Sequence, residues 1–440
     1  MANFGDKVIA QISTNQHQDA LTMSNLNLNR AHDSRNHPVP HHYFQHTENA
    51  HRIRSDQEAI EIAQRLAERF AQEASQRDQA RQLPLNEVQA FSQSGLWAIT
   101  VPKAFGGAGV SYRTLAEVIK TISSVDSSLG QIPQNHLAFI EHLRLDASEE
   151  QQHFFFDLIL RGARLGNAFS EKNARTVADL QTTLRKTATG YELNGQKFFA
   201  TGALLAHWIP VVAINEEGLP YAAFIPQGTT GLNIINDWSG FGQRTTASGT
   251  VELNQVEVTE QYLVPIYRAF ERPTPAGAIS QFIQAAVDAG IARGAIDETI
   301  RYVRQHSRPW IDAGVEHASQ DPYTIANIGD LKIKLRAAEA VLDLAADEID
   351  RAIAEPTEQQ VNEATLRVAE AKVLTTEIAL LASNKLFELS GTRSTLSELN
   401  LDRHWRNART HTLHDPVRWK YHLVGNYYLN GIHPPRHAWS

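Results

Sequence analysis

The chain has 440 residues, 42% of them apolar and 20% charged, enough for two or three structural units around sizeable cores. Its 41 Lys and Arg against 49 Asp and Glu give a net charge of -8, which argues against a nucleic-acid surface. No run of about 18 apolar residues offers a membrane span, and no apolar leader opens the chain, so a cytoplasmic location is expected.

Sulfur is nearly absent: the chain has no cysteine and only two methionines, Met1 and Met23. Disulfides, thiol nucleophiles and Cys-ligated zinc or iron–sulfur centres are thereby excluded. Selection for heat stability would also remove Asn and Gln, yet both abound (Gln11, Asn15, Gln16, Gln18, Gln72, Gln76). Two explanations stay open. One is economy in a protein made when sulfur is scarce; the other is drift from a low baseline.

Residues 1–50 are polar, carry most of the seven histidines between His17 and His51, and show no period; they are read as a flexible arm. A helical unit is expected over 51–162. Ser55 caps a helix reaching about Arg81, with Glu58 placed to complete a capping box and Ile60, Ala63, Leu66, Ala67 and Phe70 at helical spacing. Further helices are predicted at 85–95, 111–124, 130–145 and 148–161. The glycine-rich turn at 101–110 lacks the G-x-G-x-x-G spacing, so it does not support a dinucleotide fold. Over 163–270 the texture changes to short strands such as Trp208–Ile214 and Tyr221–Ile225, punctuated by Asn194-Gly195 and Gly218-Leu219-Pro220. That pattern predicts a small antiparallel β-domain. From 271 to 440 helices return, at 276–307, 323–354, 358–389 and 412–430, and long helices with short connections describe a bundle.

This α–β–α order resembles the acyl-CoA dehydrogenase superfamily, an α+β fold with a helical N-terminal domain, a central β-domain and a C-terminal helical bundle. Three stretches carry the resemblance: "GNAFSEKN" (Gly166–Asn173), "NGQKFFATG" (Asn194–Gly202) and the long run from Ser390 to Lys420. The last resembles the dibenzothiophene monooxygenase branch and, within it, the sulfur-acquisition oxidoreductases.

The resemblance implies a flavin. Dehydrogenases of this family place a Glu in a Tyr-Glu-Gly-Thr turn; here the turn reads His414-Asp415-Pro416-Val417. Asp415 is shorter by one carbon and is followed by Pro, so a base there needs a shifted backbone. Two imidazoles, His411 and His414, are surplus to proton abstraction. At i, i+3 they share a face if the segment is helical. They suit a reaction of reduced flavin and O2 through a C4a-hydroperoxide, with His414 as proton donor, since imidazole titrates near neutrality. By resemblance Thr201 and Asn167 complete the polar pocket, Asp415 orients an imidazole, and Ser170, Phe199 and Trp238 lie along the flavin. His411, His414 and Asp415 also fit an iron facial triad, but no other signal for such a site accompanies them, and no metal is expected.

Arg308 stands where the dehydrogenases keep a small residue beside the adenosine half of FAD. A guanidinium there would obstruct the dinucleotide and suit a terminal phosphate. Arg393 matches a second phosphate-binding arginine of the monooxygenase branch, contributed from a neighbouring subunit. Together they imply FMN rather than FAD, and a homo-oligomer, most simply a tetramer. In the substrate pocket, Gln131 and Asn135 stand where the dibenzothiophene enzyme has His and Tyr, while His136 is kept. Carboxamides in place of aromatics favour a smaller, more polar organosulfur substrate. The expectation is a monooxygenase fed with reduced FMN by a separate reductase. The rivals are an acyl-CoA dehydrogenase using Asp415 and a non-catalytic binding paralogue.

Overall fold

The structure is a computed structural model and describes residues 39, 41–44, 50–172 and 175–439. Most of the histidine-rich arm lies outside the described residues. Where it is described, it is packed: Val39 is buried, and Tyr43 and Phe44 lie against the core. The Arg164 guanidinium sits 4.6 Å from the centre of the Tyr43 ring. The reading of 1–50 as free arm therefore fails at these positions, because two aromatic rings and a valine have found apolar cover.

Seven helices form the first unit: α1 (Asp56–Ala71), α2 (Ala74–Ala80), α3 (Leu85–Gln93), α4 (Tyr112–Val125), α5 (Ser127–Gln131), α6 (Gln134–Asp146) and α7 (Glu149–Leu160). Ser55 caps α1 by accepting from the Glu58 amide at 3.2 Å. The Glu58 carboxylate takes the Arg54 amide rather than that of Ser55, so the capping box is only half formed. The expected helix over 130–145 is two helices. Pro133 cannot donate to the helical ladder, and the chain restarts as α6 directly after it.

Seven strands follow: β1 (Thr183–Lys186), β2 (Tyr191–Lys197), β3 (Trp208–Ile214), β4 (Pro220–Pro226), β5 (Leu232–Ile235), β6 (Thr250–Val258) and β7 (Leu263–Val264). They make one sheet in the order β5-β6-β2-β1-β3-β4-β7. The sheet is mixed rather than antiparallel, because β1 runs parallel to β3 where Thr183 meets Ile214. Two bridges, Leu165 with Trp208 and Ala168 with Val211, lay the segment 165–168 alongside β3. Buried Lys197 secures the next residues, donating to the Phe169 carbonyl (3.1 Å) and to Glu171 (2.6 Å).

The second helical unit holds α8 (Ala276–Gln305), α9 (Pro322–Ala354), α10 (Glu358–Ser390), α11 (Asp402–His411) and α12 (Arg418–Asn430). Alanine and glycine along α8 let α4, α9 and α10 approach closely, and nearly the whole of α8 is buried. Helix α11 has no counterpart in the predicted elements. Its sequence, DRHWRNARTH, lacks an apolar stripe, and its buried face consists of His404, Arg406, Ala408 and His411. Those polar side chains are paired inside: Arg406 reaches Asp78 at 2.7 Å. Periodicity of hydrophobicity cannot report such a helix.

Candidate active site

Two groups of side chains meet here, one from the helices and one from the β-unit. On the helical side, Asp288 of α8 is fully buried. It accepts from Lys372 Nζ (2.9 Å) and Thr376 Oγ1 (3.1 Å), both on α10, and pairs with His411 Nδ1 (2.6 Å) at the end of α11. Burial alone would raise the Asp288 pKa. The adjacent Lys372 and His411 outweigh it and hold the carboxyl well below the usual carboxylate range. An ionised Asp288 requires N–H on His411 Nδ1, so in the neutral ring Nε2 is the bare nitrogen. That Nε2 is buried and has no hydrogen-bond partner among the described residues. Burial lowers the His411 pKa, with Asp288 opposing it. Asp288, not Asp415, therefore orients the His411 imidazole; Asp415 is buried, and its Oδ2 makes no hydrogen bond with the described residues.

Helix α11 ends at His411, so the two histidines do not share a helical face as expected. Residues 412–417 form a turn, and His414 folds back to place its ring centre 4.8 Å from that of His411. Its Nδ1 lies 2.7 Å from the His411 carbonyl, and its Nε2 lies 2.9 Å from Gln131 Nε2. One edge of His414 stays exposed, yet the protein packed around it, with His411 against it, pulls its pKa below the ordinary imidazole range. A near-neutral titration, the premise of the proton-donor reading, is not what this environment gives.

On the other side, Thr201 Oγ1 pairs with Ser248 Oγ at 2.7 Å, Ser248 pairs with Thr246 at 2.7 Å, and Thr246 donates to the Gln243 carbonyl at 2.9 Å. Trp238 Nε1 donates to the same carbonyl at 2.7 Å. The Gln243 side chain then reaches Gln131 (2.9 Å), which reaches His414. Gln243 thus joins Thr201, Trp238 and His414 in one hydrogen-bonded set. It has a left-handed backbone (φ 48) and is almost fully buried, its amide N–H held by Asn407 Oδ1 at 2.7 Å. Nothing in the sequence distinguished Gln243 from the many other glutamines.

Phe199, also left-handed (φ 53), turns its ring outward at 56% exposure, edge-on to Trp238. Asn167 Nδ2 donates to the Phe199 carbonyl at 3.3 Å, while its buried Oδ1 has no partner among the described residues. Ser170 is exposed, and its carbonyl accepts from Phe198. Next to it Phe169 stacks on Trp439, whose carbonyl is held by buried Lys420 at 2.7 Å, so the C-terminal tail lies over this segment.

The remaining predicted residues are placed differently. His136 is in the core with both ring nitrogens in use: Nε2 meets the Trp97 carbonyl (2.7 Å), and Nδ1 accepts from the Leu165 amide (3.0 Å). It is a strut for the 165–168 segment, with no atom left for a substrate. Asn135 is half-buried on α6 and joins none of these hydrogen bonds. Arg308 and Arg393 are exposed, and neither guanidinium makes a hydrogen bond or ion pair with the described residues. Their segments meet where Ser307 Oγ donates to the Ser390 carbonyl at 3.2 Å. That contact lies beyond the end of α8, about 25 Å along the helix from Asp288 at 1.5 Å per residue.

A flavin suits this arrangement. An outward phenyl ring, a half-buried indole and the orphaned Asn167 Oδ1 need a flat ligand with an apolar face and an N–H edge, which an isoalloxazine has.

The comparisons with known proteins agree. Residues 55–163 match the family described as acyl-CoA dehydrogenase, N-terminal domain, and residues 282–419 match acyl-CoA dehydrogenase, C-terminal domain. Dibenzothiophene monooxygenase of Rhodococcus erythropolis is 35% identical, over 86% of this chain and 95% of its own. A probable FMNH2-dependent monooxygenase, SfnC, of Pseudomonas putida is 34% identical, over 86% and 96%. The crystal structure of FMN-bound TdsC from Paenibacillus sp. A11-2 superposes with a TM-score of 0.83 at 34% identity, covering 87% of this chain and all of that one. Methanesulfinate monooxygenase MsuC of Pseudomonas fluorescens gives 0.81 at 31%, covering 87% and 99%. The chain belongs to the acyl-CoA dehydrogenase family. Within it, the chain stands in the branch that holds the dibenzothiophene monooxygenases.

Proposed function

We propose that the protein is a monooxygenase that uses reduced FMN and O2 to oxygenate a small organosulfur compound. One observation carries this reading. Gln243 links a hydroxyl chain at Thr201, through Gln131, to His414, and the one carboxylate this network reaches, Asp288, is fully buried behind His411 instead of facing a substrate. The dehydrogenase alternative needs Asp415 poised over a substrate, but that side chain is buried. Relatives named as FMNH2-dependent and as acting on dibenzothiophene or methanesulfinate support the same reaction class.

Phe199 and Trp238 form the apolar wall for the flavin ring, Asn167 takes its N–H edge, and Thr201 offers a hydroxyl to its polar face. Bound reduced FMN supplies the two electrons that let O2 give one atom to sulfur and the other to water. The protein's part is to bind and orient, and to keep Asp288 ionised and His411 neutral behind His414. Arg308 and Arg393 hold the phosphate. About 25 Å of helix separates them from Asp288, so a flavin against Thr201 takes them from a second copy of the chain, in a homo-oligomer, most simply a tetramer. A separate reductase delivers the reduced flavin. Gln131 favours a compact substrate with polar atoms over a flat tricyclic one.

The test supplies purified protein with FMN, a flavin reductase, NADH and 18O2, and screens methanesulfinate, a dialkyl sulfone and dibenzothiophene. One 18O atom in the product of a small substrate is expected. Copurifying FAD with oxidation of an acyl-CoA, or no oxygenated product from any substrate, overturns the reading.

A further inference from the structure

The hydrogen bonds that meet at His414 begin and end on backbone carbonyls, and carbonyls only accept. From one end, Gln243 Nε2 lies 3.2 Å from the Ser127 carbonyl, while Gln243 Oε1 accepts from the Ser127 hydroxyl at 2.8 Å and the Ser128 hydroxyl at 3.3 Å. Turning that amide over would set oxygen against the carbonyl, so its orientation is fixed. Gln243 Nε2 therefore donates to Gln131 Oε1 at 2.9 Å, which leaves Gln131 Nε2 facing His414 Nε2 at 2.9 Å. An amide nitrogen only donates, so His414 Nε2 must be the bare, accepting nitrogen. From the other end, His414 Nδ1 faces the His411 carbonyl at 2.7 Å and needs a hydrogen there. Both ends demand the same tautomer.

We propose that Gln243 and Gln131 are positioning residues that hold His414 neutral, with its hydrogen on Nδ1 and its Nε2 accepting. An imidazolium would set N–H against the Gln131 NH2 group, so the relay also opposes protonation. This inference rests on the monooxygenase reading for its meaning and reverses the polarity expected of His414. The ring accepts from Gln131 at Nε2 and donates only to the backbone behind it. The amide beside it becomes the donor: Gln131 Nε2 carries two hydrogens and uses one on His414. Gln131 and Gln243 are almost fully buried, so water meets this relay only at the exposed edge of His414. On the far side the Asp288 carboxylate likewise requires a hydrogen on His411 Nδ1, though it favours protonation of that ring where the relay opposes it at His414.

Gln131→Glu is the reversing substitution, since a carboxylate offers only acceptors to His414 Nε2. Neutron diffraction from deuterium-exchanged, FMN-loaded crystals of wild type and Gln131→Glu reads the deuterium on His414 directly. Wild type should carry it on Nδ1 alone, and Gln131→Glu should place one on Nε2. Deuterium on wild-type Nε2, or an unchanged His414 in Gln131→Glu, overturns the relay. If Gln131→Glu does not crystallise, Gln243→Glu tests the same step, because it puts a carboxylate oxygen in place of Nε2, against the Ser127 carbonyl, and frees Gln131 to turn over. Retained Nδ1-only deuteration there also overturns it. The reaction is read separately, as oxygenated product per NADH consumed. Product with the wrong wild-type tautomer sinks the relay alone, and the right tautomer without product sinks the monooxygenase reading alone.

Discussion

Replacing Asp288 with Asn keeps the shape of the side chain and removes its charge. The carboxylate now takes three donors, Lys372 Nζ, Thr376 Oγ1 and His411 Nδ1. An amide has a single acceptor oxygen, so its NH2 faces one of these donors head-on. Lys372, 1% exposed, is left as a buried ammonium with no counter-charge. Breaking a buried pair from one side costs about 3–5 kcal/mol, a large share of a total stability of about 5–15. Removing both charges, with Asp288→Asn and Lys372→Met together, eliminates the stranded ion, so the double variant should recover about 1–3 kcal/mol of the summed losses. Chemical unfolding of the four proteins at one protein concentration, with and without FMN, gives the cycle; matched conditions matter because assembly and cofactor both shift apparent stability. An Asp288→Asn protein within about 1 kcal/mol of wild type would refute the claim that this carboxylate is ionised and paired. So would a double variant that shows simple additivity.

Arg308→Ala should weaken FMN binding by about 1.5–3 kcal/mol, at least tenfold, as measured by flavin fluorescence titration; unchanged affinity removes Arg308 from the phosphate site. His414→Ala should keep FMN but release hydrogen peroxide in place of product, because the Gln131 amide loses the acceptor that orients it as a donor to the site, with product formation down on the order of 10²-fold; product within a few-fold of wild type moves the role elsewhere. His136 is held at a pKa of about 4 by burial, with the Trp97 carbonyl opposing. It is depressed below an unfolded value of about 6.5, so the unfolded chain binds the extra proton first and stability falls from about pH 6.5 down to about pH 4, by roughly 1.4 kcal/mol per unit at most. Unfolding midpoints across that window should therefore drop more steeply for wild type than for His136→Gln, and parallel curves would count against a neutral core imidazole. Light scattering at micromolar concentration should give an oligomer, and a monomer with FMN bound would contradict the shared phosphate site.

Much of the architecture was readable because most elements bury apolar stripes. The long helices α8, α9 and α10 start and stop within two residues of their predicted limits, where Pro309, Pro356 and Gly391 interrupt the pattern. Thr201, Asn167, His411 and His414 were reached through motif resemblance, and the fold brings them into one region. What stayed hidden is polar and non-local. Helix α11 buries Arg and His instead of Leu, and Asp288 is one carboxylate in an alanine-rich helix whose partners lie 84 and 123 residues away. Gln243 acquires its role from a left-handed backbone in a loop that sequence reading passed over. A lone buried Asp between alanines was a usable signal, since a charge in such a helix demands a partner. His136 shows the opposite error: an imidazole in a motif is not thereby in the site.

The length of α8 has a consequence for how the cofactor is held. The middle of the helix carries Asp288, behind the histidines, and its C-terminal end leads to Arg308 and to the Ser307–Ser390 contact that brings Arg393 alongside. If every flavin takes its ring contacts from one chain and its phosphate contacts from another, cofactor affinity becomes a property of the assembly. Dilution that separates subunits then also releases FMN, and FMN in turn draws subunits together by mass action. Two defective chains, one lacking Thr201's hydroxyl and the other lacking the arginines, would restore some intact sites when mixed, because each supplies the half that the other lost.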